Sequence, residues 1–152
     1  MLSLPAGLRA RLLPRGAFAS LLAACGLGAA GCGPAIDREA TLGRLRDALG
    51  AEVTGVVVLE DHNRLAEDVS RAGLLEGLFQ RELVARIGRG QNCGTSALCA
   101  SHGFRPTDWL YDVGHAPGDP ELPAGPTLLV GFDATGRVDR TFSMTRRPST
   151  SR

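Results

Sequence analysis

Cys93 and Cys99 enclose Gly94-Thr95-Ser96-Ala97-Leu98, a stretch short and pliable enough to turn back on itself, and His102 and His115 follow. Two chemistries compete for this set. A disulfide would be structural, stabilising by roughly 2 kcal/mol in the chain-entropy account of so short a loop, and an oxidising compartment would favour it. Metal is the rival, because Cys93, Cys99, His102 and His115 supply four ligands of suitable type. Zinc sites usually leave about two to four residues between cysteines and about three to five between histidines. Here the gaps are five and twelve, so the disulfide is expected and a metal is not. A redox-active pair would read Cys-x-x-Cys, a spacing that does not occur here.

Two further places put imidazole near carboxylate, the minimum for an acid-base pair: His62 beside Glu60 and Asp61, and His115 near Asp112 and Asp119. Polar loops produce such neighbours routinely, and neither histidine has an evident nucleophile. The serines lack the glycine pattern of a nucleophile elbow. Both histidines are therefore expected in solvent, and no catalytic residue or cofactor is expected. Trp109 and Tyr111 are the weak candidates for a binding surface, since aromatic side chains are favoured anchors. In a chain only 5% aromatic they are more readily core.

The remaining cysteines belong to the N-terminal segment. Arg9, Arg11 and Arg15, with no acidic residue among them, precede an apolar run from Ala17 that ends in Leu22-Ala23-Ala24-Cys25, and Ala29-Ala30-Gly31-Cys32 repeats the small-residue approach. A basic stretch, a short apolar stretch and a small-residue cleavage site make an export signal. The cysteine adds a resemblance to the lipobox of bacterial lipoproteins. That resemblance implies lipidation at Cys25 or Cys32, palmitate among the chains, and removal of residues 1–24 or 1–31. Residues 25–35 would then be a flexible tether.

Three other readings of this segment are weaker. A membrane-crossing helix needs about 20 apolar residues, and Ala17 to Ala30 is shorter. A mitochondrial presequence shares the arginines but requires no cysteine. Gly26-Leu27-Gly28-Ala29-Ala30-Gly31 matches the spacing that cradles a dinucleotide pyrophosphate. However, the preceding residues are Ala- and Leu-rich rather than strand-like, and Pro34 would fall inside the required helix, where it costs about 3 kcal/mol.

The chain has 152 residues with 17 basic and 16 acidic side chains. Loss of Arg9, Arg11 and Arg15 leaves a slight acidic excess, which argues against nucleic acid. The one basic cluster is Arg140 with Arg146, Arg147 and Arg152, and residues 143–152 are expected as a disordered basic tail. Residues 36–142 suit one small domain.

Within that domain, Leu42, Leu45 and Leu49 recur at helical spacing between Asp37 and Gly50 and predict a helix over 37–49. Val53 to Leu59, β-branched and apolar, predicts a strand covered on both faces. A turn at Asp61-His62-Asn63 would lead to a second helix carrying Leu65, Ala66 and Val69, stopped at Gly73. Leu75, Leu78 or Phe79, Leu83 and Ile87 predict an amphipathic helix ending at Gly88. Trp109, Tyr111 and Val113 alternate with Asp108, Leu110 and Asp112, as in a strand with one face buried. After a long loop from Gly114 to Pro126, Thr127 to Phe132 and Arg137 to Phe142 flank the turn Asp133-Ala134-Thr135-Gly136. The expected class is α+β: helices packed on a three-stranded antiparallel meander, with or without one additional strand.

Gly77 to Gly88, with Leu83 and Ile87 inside it, resembles the glycine-bounded helix of the SmpA/OmlA family of small outer-membrane lipoproteins, the BamE-type components of the β-barrel assembly machinery. Trp109-Leu110-Tyr111 resembles that family's aromatic strand, and Leu128 to Val138 its closing hairpin. The likeness spans residues 74–142 and implies a non-catalytic protein-binding or scaffold module at the outer membrane, facing the periplasm, with an envelope protein as partner. Phe79 departs from the capping Ser/Thr of the family helix, and residues 36–73 lie outside the likeness. The alternatives are a soluble periplasmic or secreted inhibitor-like binding protein and, last, a nucleotide-binding protein using Gly26 to Gly31.

Overall fold

Helix α1 (Arg38–Leu49) starts where the Asp37 carboxylate accepts the Ala40 N–H at 3.2 Å and stops at Gly50, as its sequence predicts. The structure, a computed structural model, describes residues 36–147. Cys25, Cys32, the tether, the Gly26–Gly31 fingerprint and Arg152 lie outside the described residues. Leu42, Leu45 and Ala48 turn one face of α1 into the core. The Arg38 guanidinium, bonded to the Leu74 carbonyl at 2.9 Å, pins the helix start to a later turn.

The expected strand at Val53 to Leu59 is a helix instead. α2 (Val56–Arg71) runs unbroken through Asp61-His62-Asn63, and just ahead of the expected strand Glu52 makes an isolated bridge to His115. Leu59, His62, Leu65, Ala66 and Val69 are its buried residues. They continue one 3.6-residue period across the supposed turn, and burial along that stripe outweighs the few tenths of a kcal/mol that each β-branched residue costs in a helix. Val56 and Val57, which a strand covered on both faces would bury, stay exposed.

The third helix also begins later than its pattern suggests. Leu74 and Leu75 are buried in a turn between Gly73 and Gly77, both at positive φ, Leu78 is buried just beyond it, and α3 (Gln80–Ile87) follows. Phe79 at the N-cap has no oxygen to offer. The Glu82 carboxylate accepts the Phe79 N–H at 2.8 Å, and the Gly136 carbonyl accepts the Gln80 N–H at 3.0 Å. These bonds replace the missing hydroxyl cap.

Strands β1 (Gln91–Asn92), β2 (Trp109–Asp112), β5 (Thr127–Phe132) and β6 (Val138–Met144) form one antiparallel sheet in the order β1-β2-β5-β6. The meander is as expected, and β1 is the additional strand. The Gly114 to Pro126 stretch is not merely a loop, because β3 (His115–Ala116) and β4 (Asp119–Pro123) pair within it. Gly125 is required there: a Cβ would lie 1.7 Å from the Val113 carbonyl oxygen. Nor does the ordered chain end at Phe142. β6 continues to Met144, and the Asn63 side chain exchanges two hydrogen bonds with the Arg146 backbone, at 2.8 and 2.9 Å.

The sheet is covered on both faces. Leu128, Val130 and Phe132 join Trp109, Tyr111 and Val113 beneath the helices, while Leu129 packs with Phe104, Leu110 and the two cysteines of the opposite cluster. Short helix α4 (Ala97–Ser101), capped by Ser96, carries Cys99 into that second cluster. At the seam sits Asp108, with no exposure. Its carboxylate accepts the Arg105 N–H at 2.8 Å and guanidinium at 3.1 Å, and the Phe132 N–H at 3.3 Å. The Arg140 guanidinium lies 3.8 Å away.

Removing this carboxylate strands two backbone donors and leaves two half-exposed arginines without their counter-charge. Asp108→Ala is expected to cost about 3 kcal/mol and to lower the thermal midpoint by more than about 10 °C. The exposed Asp139→Ala should shift it little. Equal midpoints for the two variants in thermal denaturation would remove Asp108 from this role.

Candidate functional site

Cys93 and Cys99 form a disulfide, with Cα atoms 5.8 Å apart, and both are buried. The four residues of the metal alternative do not converge. Both thiols are consumed, His102 stacks on Phe142 with ring centres 4.3 Å apart, and His115 faces the Gly50 and Ala116 carbonyls at 3.2 and 3.0 Å.

His62 overturns its expected exposure. It lies on the inner face of α2, 8% exposed, with Nδ1 3.0 Å from the Val113 carbonyl oxygen. A carbonyl only accepts, so Nδ1 carries the proton and the ring ties α2 to the end of β2. Its supposed partners Glu60 and Asp61 are exposed, because the helix turns them outward. His115 likewise has no carboxylate: Asp112 accepts the Thr127 hydroxyl at 3.0 Å and Asp119 accepts the Glu121 N–H at 3.0 Å. Neither acid-base pair assembles.

Trp109 and Tyr111 are each 5% exposed and serve the core. Trp109 meets the edge of Phe132 with centroids 4.9 Å apart, and the Tyr111 hydroxyl donates to the Gly88 carbonyl at 3.0 Å. Burial pushes the Tyr111 pKa above the usual phenol range, which keeps that hydroxyl a donor. These aromatics therefore present no binding face.

The surface feature that sequence reasoning missed is a groove of about 390 Å³ between the first turn of α2 and β4. Val53, Val56 and Leu59 form one side, and Leu122, Pro123 and Ala124 the other. Val56 is 51% exposed and Leu122 54%, an unusual outlay of apolar surface in a small domain. Among the described residues, Arg146 and Arg147 supply the only charged side chains that line it. Arg146 is held there by Asn63 through its backbone and by the Pro123 carbonyl through its guanidinium. The N-cap of α2 is Gly55, which provides no side-chain cap, and no acidic residue occupies the first turn, so the helix dipole adds positive potential on the same side. Folding brings Val56, Leu122 and Arg146 together from three separate stretches of chain, which no sequence motif announces.

A larger cleft of about 540 Å³ lies between the end of α3, β2 and β4, with Arg89, Asp112, His115 and Glu121 among its lining. Its charges are of both signs, and it selects no ligand charge. No family model matches the chain, and searches of the curated proteins and of the solved structures find no match.

The cystine closes the second face of the sheet, and its loss is testable without a ligand. Cys93→Ser with Cys99→Ser is expected to cost about 2 kcal/mol and to lower the midpoint by roughly 10 °C, with helix content by circular dichroism retained. An unchanged midpoint would show that the bridge does not hold the loop.

Proposed function

We propose that this protein is a lipid-anchored, non-catalytic protein-binding or scaffold module of the bacterial cell envelope. The observation that carries the reading is the pattern Arg9-Arg11-Arg15, apolar run, Leu22-Ala23-Ala24-Cys25 or Ala29-Ala30-Gly31-Cys32, upstream of a domain built around a disulfide. Disulfides persist in oxidising, extracytoplasmic compartments, so the cystine supports export. The dispersal of His62, His115 and their neighbouring carboxylates supports a non-catalytic role. The resemblance of residues 74–142 to SmpA/OmlA lipoproteins is what points to the outer membrane and its assembly as the setting.

Anchoring supplies the mechanism. One acyl chain gives marginal, reversible attachment, whereas two or more hold a protein at the membrane. The domain then meets membrane partners at a raised effective concentration. If Cys32 is the lipidated residue, Cys93 and Cys99 are the only cysteines of the mature chain and pair with each other. If it is Cys25, Cys32 stays in the tether as an odd thiol.

Expression of Cys25→Ser, Cys32→Ser and the double variant, each fractionated and weighed by mass spectrometry, decides the matter. The expected result is that one single variant and the double variant leave the membrane fraction, and that the wild-type mature chain carries the mass of the acyl groups on its first residue. A soluble wild-type protein, or a mature chain with an unmodified first residue, would support the inhibitor-like soluble protein instead. Retention of the N-terminal segment would return the nucleotide-binding reading.

A further inference from the structure

We infer that the groove between the first turn of α2 and β4 receives a peptide segment in which apolar side chains stand beside carboxylates. The inference rests on the protein-binding reading above and names the chemistry of its partner. Val56 and Leu122, each about half exposed, face a slot whose other walls are Val53, Leu59 and Pro123. An apolar side chain entering the slot would cover them. Because the lining, among the described residues, includes Arg146 and Arg147 and no acid, the slot discriminates by sign: it attracts an anionic neighbour of that apolar side chain and repels a cationic one. Arginine is suited to this, since its fork matches a carboxylate with two parallel hydrogen bonds. Arg146 is already oriented, with its backbone paired to Asn63 and its guanidinium bonded to the Pro123 carbonyl.

Anionic lipid would satisfy the same charges, but the slot walled by Val53, Leu59 and Pro123 asks in addition for an apolar side chain beside the carboxylate, which a peptide supplies and a headgroup does not.

The full lipidated chain in zwitterionic detergent is titrated with fluorescein-labelled peptides alternating leucine with glutamate, with glutamine or with lysine, and anisotropy is read. Saturable binding of the leucine-glutamate peptide is expected, weakened about tenfold or more when glutamine replaces glutamate. Arg146→Gln with Arg147→Gln, and separately Leu122→Ser, should each weaken it by about the same factor. Arg147→Gln alone alters an exposed side chain near the end of the described domain, so its several-fold loss would not be a folding artefact. Equal binding of the glutamate and glutamine peptides, or binding undiminished in the groove variants, overturns the proposal. So does flotation with phosphatidylglycerol vesicles that depends on Arg146 and Arg147 while no peptide binds. The two readings fail separately. Peptide binding that persists in a protein shown to be unlipidated leaves the groove standing without the anchor. A lipidated protein with an inert groove leaves the anchor without this site.

Discussion

Asp108 is a carboxylate with no contact with solvent, placed where β2 begins and β5 ends. Burying it is costly unless its oxygens are satisfied, and every group that satisfies them is a structural joint. Through the Arg105 N–H it closes the turn that feeds β2. Through the Phe132 N–H it takes up a donor at the point where the β5–β6 register slips between Gly131 and Phe132. Its backbone carbonyl accepts the Cys93 N–H at 2.8 Å, which fastens the disulfide loop to the same point. Gly131 belongs to this arrangement: a Cβ there would come within 2.8 Å of Arg140 Nε, so the bare backbone of β5 lets Arg140 reach across from β6 toward Asp108.

The rest of the domain can be read outward from that joint. With the strands in this register, Leu128, Val130 and Phe132 face the helices and Leu129 faces the cystine cluster. A four-stranded sheet with one bare face would have presented Leu110 and Leu129 to water. The loop bounded by Cys93 and Cys99, with Phe104 behind it, covers them, and Arg140 lies over the Phe104 ring at 4.5 Å. The disulfide therefore supports packing rather than chemistry. On the other side, α2 is fixed to the sheet by His62 against the Val113 carbonyl, where Gly114 leaves room for the imidazole.

That placement of α2 also creates the groove. Its first turn projects beyond the core with Val56 and Val57 exposed, and the β3–β4 hairpin stands opposite with Leu122. Asn63, one face of the helix away from His62, reaches the Arg146 backbone and turns the end of β6 back toward the same spot. A helix that began three residues later, or a chain that frayed after Phe142, would leave neither the apolar walls nor the arginines in register.

Local chemistry made part of this legible from residue order alone. Asp37 and Gly50 bound α1 because a side-chain cap and a stop act within a few residues. Asp133 and Gly136 specify the β5–β6 turn for the same reason, and in the structure the Asp133 carboxylate accepts the Thr135 hydroxyl and the Arg137 and Thr135 N–H groups, which hold it below the usual carboxylate pKa. The pairing of Cys93 with Cys99 follows from their short separation. The start of α2 was illegible because Val56-Val57-Val58-Leu59 suits a buried strand as well as a helix, and the helical stripe is decided only when Leu59 and His62 meet the sheet. Asp108 looked like one more polar residue, since the Phe132 N–H that it satisfies lies 24 residues away. The sequence by itself determined the elements closed by neighbouring residues. Tertiary structure decided the strand register, the buried carboxylate and the groove, because their energies come from groups that meet only after the chain has folded.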